Sequence, residues 1–189
     1  MIHEEVLMRV IVPLAEGFEE IEAVTIIDVL RRADIQVTVA YLKKNLVTGS
    51  HSITVTADKN IDDIHASDFD AIVLPGGMPG SSNLNEDKRI IGLVREFSAA
   101  GKITAALCAA PLVLGHAGVL TGKQATCFPG FEGRMTGAEH IPKPVVRDGT
   151  IITGRGPGCA IPFALELVAS LAGEEKAVRL KESMQVYWM

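Results

Sequence analysis

Cys108 is the residue of this chain best placed to do chemistry. It closes the apolar run Ile103-Thr-Ala-Ala-Leu-Cys108, and a helix-like segment, Ala-Ala-Pro-Leu-Val, follows at once. A side chain at such a strand-to-helix turn is pushed out at the carboxyl edge of a sheet, as in a nucleophile elbow, where small residues flank the nucleophile because the turn is tight. Ala106 and Ala110, two positions before and after the cysteine, are small. The helix that follows would direct its free N–H groups and positive dipole end at the sulfur, which favours thiolate. The alternative is that Cys108 is a small buried hydrophobe, as free cysteines often are.

A thiolate nucleophile needs a group that holds or moves its proton, and donors for developing negative charge. Gly76 and Gly77, in Pro75-Gly-Gly-Met-Pro-Gly80, leave room for a backbone N–H at close approach, and the N–H of Ala109 would be the second donor. Without the cysteine the same stretch reads as a bare turn. At 100° per residue, Glu22 shares a helix face with Ile26, Val29 and Ala33. A glutamate on an apolar stripe is either a helix-end charge that reaches water or a buried carboxyl. Burial would raise its pKa and leave it a proton to donate to a thiolate. Glu19 and Glu20 read as partners of the helix dipole.

The histidines offer no better base. His3 is terminal, His65 and His140 lie in polar or irregular segments, His51 lies by a turn, and His116 lies near a helix end where a cation suits the dipole. Solvated or structural roles are expected for all of them, and structural ones for Cys127 and Cys159. Cys159 follows a Gly-Pro-Gly loop and is the more open of the two to redox chemistry.

The elements that must position these residues alternate in type. Val6 to Leu14 reads as a buried strand, and Glu19 opens a helix to about Arg32. Ile35 to Tyr41 is a second strand, Asn45 to Gly49 a turn, Ser52 to Thr56 a short strand and Asp58 to Asp68 a polar loop. Phe69 to Leu74 is the strand that enters the Pro-Gly-Gly loop. Asp87 to Ala100 has the apolar face of an amphipathic helix in Ile90, Ile91, Leu93, Val94 and Phe97. After the cysteine strand, Ala109 to about Gly118 is helical, Gln124 to Phe128 is strand-like and the chain to Gly137 is irregular. Val145 to Ile152 carries an Asp148-Gly149 hairpin signal. Helices follow at Ala160 to Ala172 and Glu174 to about Met184, with Val186-Tyr-Trp-Met as a tail. Such alternation predicts an α/β fold with a mostly parallel sheet, in which ligands bind at the carboxyl ends of the strands. Three segments fall at that edge: the loop after the first strand, the Pro-Gly-Gly loop and Cys108.

The 189 residues are expected to form a single domain, 1–189, with 48% hydrophobic and 22% charged residues. A formal net charge of −5 argues against nucleic acid or an anionic membrane as the main partner. Three cysteines without a CxxC pair suggest neither a disulfide framework nor a zinc site, so no metal is expected. The acidic start Met1-Ile-His-Glu-Glu-Val is unlike a signal peptide, and an odd cysteine count suits a reducing compartment, so a cytoplasmic location is expected.

From about Val6 to Lys176 the chain resembles the ThiJ/PfpI superfamily, within the branch of the Parkinson-associated protein DJ-one. The resemblance rests on Glu19-Glu-Ile-Glu22-Ala, Asp28-Val-Leu-Arg-Arg32, Val73-Leu-Pro-Gly-Gly77, Ala106-Leu-Cys108-Ala-Ala-Pro111 and Arg155-Gly-Pro-Gly158, in order. It implies a flavodoxin-like three-layer αβα sandwich that forms homodimers partly through the first helix. It implies Cys108 as the reactive cysteine, Glu22 as a protonated glutamate bonded to it, and Gly77 and Ala109 as backbone donors. Gly76 and Phe128 would line the pocket. Protease-like members follow the cysteine with a histidine, where this chain has Ala109. Human-like members have a histidine near the site where this chain has Phe128, and an arginine near the dimer contact where it has His51.

The activities that the resemblance implies are cofactor-free conversion of methylglyoxal to lactate and deglycation of adducts of such α-oxoaldehydes. The alternative is a redox-sensing stress protein or holding chaperone, because a reactive cysteine is also what peroxide oxidises. Neither requires a metal or nucleotide, and the chain has no GxGxxG.

Overall fold

The computed structural model describes residues 7–187. Val6, His3 and the other residues of the expected acidic start, and Trp188 and Met189 of the tail, lie outside the described residues. In chain order the elements are strand β1 (Arg9–Leu14), helix α1 (Glu20–Arg32), strands β2 (Gln36–Tyr41), β3 (Leu46–Thr48), β4 (Thr54–Thr56), β5 (Lys59–Asn60) and β6 (Ala71–Leu74), then helices α2 (Gly80–Glu86) and α3 (Lys88–Ala99). Strand β7 (Ile103–Leu107), helix α4 (Pro111–Ala117), strands β8 (Gln124–Ala125), β9 (Glu139–His140), β10 (Val145–Asp148) and β11 (Ile151–Gly154), and helices α5 (Ala160–Ala172) and α6 (Glu174–Ser183) complete the chain.

The main sheet runs β10-β11-β7-β6-β1-β2-β5, and every pairing in it is parallel except that of β10 with β11. Its central strands are buried on both faces, because successive side chains point to opposite sides. Val10, Val12 and Leu14 of β1, with Val73 and Leu107, join one core, into which Ile26, Leu30, Phe163 and Leu167 pack from α1 and α5. Ile11, Ile72, Leu74 and Ala106 join the other core, with Ile90, Val94 and Phe97 of α3 and Val113 of α4. The result is a three-layer αβα sandwich with a mostly parallel sheet.

From β1 the chain moves to β2 on one side and later returns to β6 on the other, so the strand order reverses at the carboxyl ends of β1 and β6. Such a reversal leaves a crevice between neighbouring loops. The loops after β1, β6 and β7 are therefore neighbours in space.

Local differences from the sequence reading have physical causes. Asn45 to Gly49 is not only a turn: Leu46–Thr48 pairs antiparallel with Thr54–Thr56 as a separate hairpin, since Val47 buries its side chain. The polar stretch from Asp58 contains the edge strand β5 and two short 3₁₀ turns. The hairpin near Asp148 pairs Asp148 with Ile151, so Gly149 and Thr150 form the turn, with Gly149 at φ 64°. Gln124–Ala125 is shorter than expected and pairs with β9, because at Phe128 the chain turns toward Cys108.

Candidate functional site

Cys108 follows the last residue of β7 and adopts φ 64°, a left-handed conformation that side chains other than glycine rarely take. The turn is held on both sides: the Cys108 N–H donates to the Gly154 carbonyl at 2.9 Å, and its carbonyl accepts the Phe128 N–H at 2.8 Å. The residue is buried, with 8% of its surface exposed.

Helix α1 delivers Glu22 to the same place. Glu19 precedes the helix, and its Oε2 accepts the Glu22 N–H at 2.7 Å as an N-cap. The Glu22 side chain is fully buried on the face that carries Ile26 and Val29. Its Oε2 accepts the Gly76 N–H at 2.7 Å, while Oε1 has no partner in hydrogen-bond geometry. The polar side chain that interacts with the carboxyl is the Cys108 thiol.

Gly76 lies between the two. A Cβ built there would come within 2.6 Å of the Cys108 Cβ and 2.7 Å of Glu22 Oε2. Gly77 adopts φ 92°, which glycine takes at low cost, and a Cβ there would press on the Phe18–Glu19 backbone. The loop is tied to the start of α1, because the Glu19 N–H donates to the Gly76 carbonyl at 2.9 Å. The N–H groups of Gly77 and Ala109 both donate to the Cys108 sulfur in its charged form.

The electrostatics couple the two groups. Burial pushes the Glu22 carboxyl from 4.5 up to about 7, and the Glu19 charge adds to this; the Gly76 N–H and the thiol pull against it. Burial, then the charge and hydrogen bonding of Glu22, push Cys108 up to about 12, against the two N–H groups. The expectation of a thiolate favoured by a helix dipole is therefore corrected. Helix α4 has seven residues, begins three positions after the cysteine and does not offset burial beside a carboxylate. The two groups lie close enough to titrate as a coupled pair. When Glu22 is protonated, the opposing charge vanishes, the carboxyl becomes a donor, and the two N–H groups favour the thiolate.

Phe128 joins the site through its backbone. Its ring is 43% exposed and lies by Gly156, where a Cβ would be 3.2 Å from the ring. Of the other histidines, His116 bonds Asn85 at 3.0 Å and His65 precedes a 3₁₀ turn. Glu20 corrects the reading of it as a plain dipole partner. It is buried, and its carboxylate accepts the His51 N–H at 2.5 Å and bonds the His51 ring at 2.9 Å. Burial pushes its pKa up, but the bonds from His51 and Ile53 outweigh this and hold it at about 2. Sequence reasoning missed this role; the signal was a glutamate next to the Glu19 cap with no basic residue one turn away in its helix. A cavity of about 250 Å³, lined by Leu14, Glu16, Lys43, Lys44 and Asn83 among others, includes neither Cys108 nor Glu22. Among the described residues no helix is long and apolar enough to cross a membrane.

A sequence profile of the DJ-1/PfpI family matches residues 8–170. The chain is similar to the protein DJ-1 homolog B of Arabidopsis thaliana, at 39% identity over 94% of this chain and 41% of that protein, so it spans less than half of that relative's length. It is 34% identical to a deglycase of Pyrococcus abyssi, over 87% of this chain and 99% of that one. The fold superposes on oxidised DJ-1 of Toxoplasma gondii with a TM-score of 0.91, at 36% identity over 95% of this chain and all of the other.

Proposed function

From the premise that this chain belongs to the DJ-1/PfpI family, we propose that it is a cofactor-independent, cysteine-dependent enzyme acting on α-oxoaldehydes such as methylglyoxal, or on their adducts with proteins. The observation that carries the reading is a fully buried Glu22 carboxyl beside a cysteine strained at a strand-to-helix turn. The deglycase relative from Pyrococcus abyssi adds support for the substrate class.

In the first step the Cys108 thiolate adds to the aldehyde carbon. The carbonyl electron pair moves to oxygen, which takes the proton of Glu22, giving a hemithioacetal. Glu22, now a carboxylate, removes the proton from the former aldehyde carbon, and the electron pair moves to the neighbouring ketone oxygen to give an enediolate. The hydroxyl proton on the former aldehyde carbon passes to that oxygen, Glu22 returns its proton to the neighbouring carbon, and the product is a thioester of the 2-hydroxy acid. Water hydrolyses the thioester, releases lactate from methylglyoxal and restores the thiol. The Gly77 and Ala109 N–H groups stabilise the negative oxygen or sulfur as charge moves. From a hemiaminal adduct the thiolate forms its bond to the carbon that bears nitrogen as the C–N bond breaks, the amine leaves with the proton of Glu22, and the resulting hemithioacetal follows the same course.

The test is lactate formation from methylglyoxal by metal-free, thiol-free protein. Many equivalents per Cys108, abolished in Cys108→Ser, support the enzyme. Aldehyde loss that stops at one equivalent per thiol refutes it. The second reading, redox sensing or a holding chaperone, is favoured by the same cysteine, held at a strained turn and not fully buried. Its structural neighbour from Toxoplasma gondii is described as oxidised. Peroxide titration of Cys108 followed by mass spectrometry distinguishes it, since a sensor changes state once per oxidation. We further propose that the molecule works as a homodimer in the cytoplasm.

A further inference from the structure

Cys127, Glu132 and His140 lie beyond the catalytic elbow, and their ligand atoms all fall within 4.8 Å of one another. Cys127 is fully buried. The three come from separate pieces of local structure that hold them together. His140 lies opposite Ala125 in the two-residue pairing of β8 and β9, and the next residue, Ile141, donates its N–H to the Ala125 carbonyl at 2.8 Å. Glu132 opens a 3₁₀ turn, and its Oε2 accepts the Gly130 N–H at 2.8 Å. The His140 Nε2 is shielded from solvent and has no hydrogen-bond partner. A buried nitrogen without a partner is costly unless something else satisfies it.

We propose that these three side chains form a binding site for a thiophilic divalent cation, of which Zn²⁺ is the best match. One thiolate, one imidazole and one carboxylate are the donors Zn²⁺ prefers, and three protein ligands leave a fourth position for water. Zinc–ligand distances of about 2.0–2.3 Å place tetrahedral donors roughly 3.3–3.8 Å apart. The side chains therefore need to close by up to about 1.5 Å, to which exposed Glu132 can contribute by rotation. Binding forms a sulfur–zinc bond at Cys127 and releases its thiol proton to solvent, with no change of oxidation state. The spacing Cys127-x4-Glu132-x7-His140 matches no common zinc pattern, so the sequence reading expected no metal. The ion would pin the segment whose Phe128 N–H holds the Cys108 carbonyl, and so stiffen the elbow from behind.

The test uses reduced protein carrying Cys108→Ser and Cys159→Ser, which leaves Cys127 as the only thiol and removes the catalytic pair as a competitor. Zn²⁺ affinity is read by competition with a chromophoric chelator, and Co²⁺ is added separately to report thiolate ligation. The expected result is one equivalent bound, a sulfur-to-cobalt charge-transfer band, and an affinity roughly tenfold or more weaker on adding His140→Ala or Glu132→Gln. Glu132 is exposed and His140 half-buried, and circular dichroism checks that each variant is folded. Absence of the charge-transfer band, or an affinity that neither substitution changes, overturns the proposal.

Discussion

Coupling between the buried Glu22 carboxyl and the Cys108 thiol sets the behaviour of the site. The folded carboxyl has its pKa near 7, above its ordinary 4.5, so folding favours its protonated form. That contribution to stability is fully present below pH 4.5 and is lost as pH rises through 7, on the order of 3 kcal/mol in total. In a Cys108→Ser background, Glu22→Gln should therefore gain stability relative to its parent between pH 5 and pH 8, measured by urea unfolding. No pH-dependent difference would contradict the buried carboxyl. Gly76→Ala tests the geometry. Its methyl group would meet Cys108 and Glu22 at once, costing about 1–3 kcal/mol and abolishing lactate formation, measured by urea unfolding and by turnover. Small neighbours and helix periodicity singled out Cys108 and Glu22 but left each an alternative, a buried hydrophobe and a helix-end charge; the family resemblance paired them. Their mutual electrostatics were not legible, because the sign of the thiol shift depends on a carboxyl 86 positions away in the chain.

Helix α1 and the β3–β4 hairpin form the element-scale device that presents Glu22. The helix carries Glu22 inward and Glu20 toward the hairpin, where Glu20 binds the 51–53 backbone and the His51 ring. The pKa of Glu20 is held at about 2, below its ordinary 4.5, so its contribution is present above pH 4.5 and is lost as pH falls toward 2. Glu20→Gln should flatten the acid limb of stability between those values, and hydrogen exchange should speed up at His51 and Ile53. Equal exchange in both proteins would refute the role. The strands and long helices were legible because Val10-Ile-Val and Ile90-Ile-Gly-Leu-Val carry clear periods. The hairpin was not, because Asn45, Gly49 and Ser50 read as turn residues while the burial of Val47 depends on tertiary packing.

At the scale of the whole molecule, reversal of strand order at β1 and β6 gathers three loops into one site. That convergence was legible in the sequence, since all three loops follow apolar runs. The packing of the Phe128 segment behind Cys108 was not, because it runs into an irregular glycine-containing stretch with no period. On its outer face α1 exposes Ile21 at 60% and Val24 at 48%, close to the hairpin that carries exposed Ile53. Apolar side chains so placed suit the proposed dimer contact. Sedimentation velocity should find a dimer, and Ile21→Glu should shift it toward monomer; a monomer in both proteins would exclude this contact.

The measurement that bears most directly on the account is infrared titration of the Glu22 carboxyl, using the difference between wild type and Glu22→Gln. The account predicts a protonated-carboxyl band that persists at pH 6, disappears with a midpoint near 7, and is absent from the variant. A carboxyl that ionises near its ordinary 4.5 would leave Cys108 beside a fixed negative charge, and would contradict the protonated Glu22 on which the proposed chemistry rests.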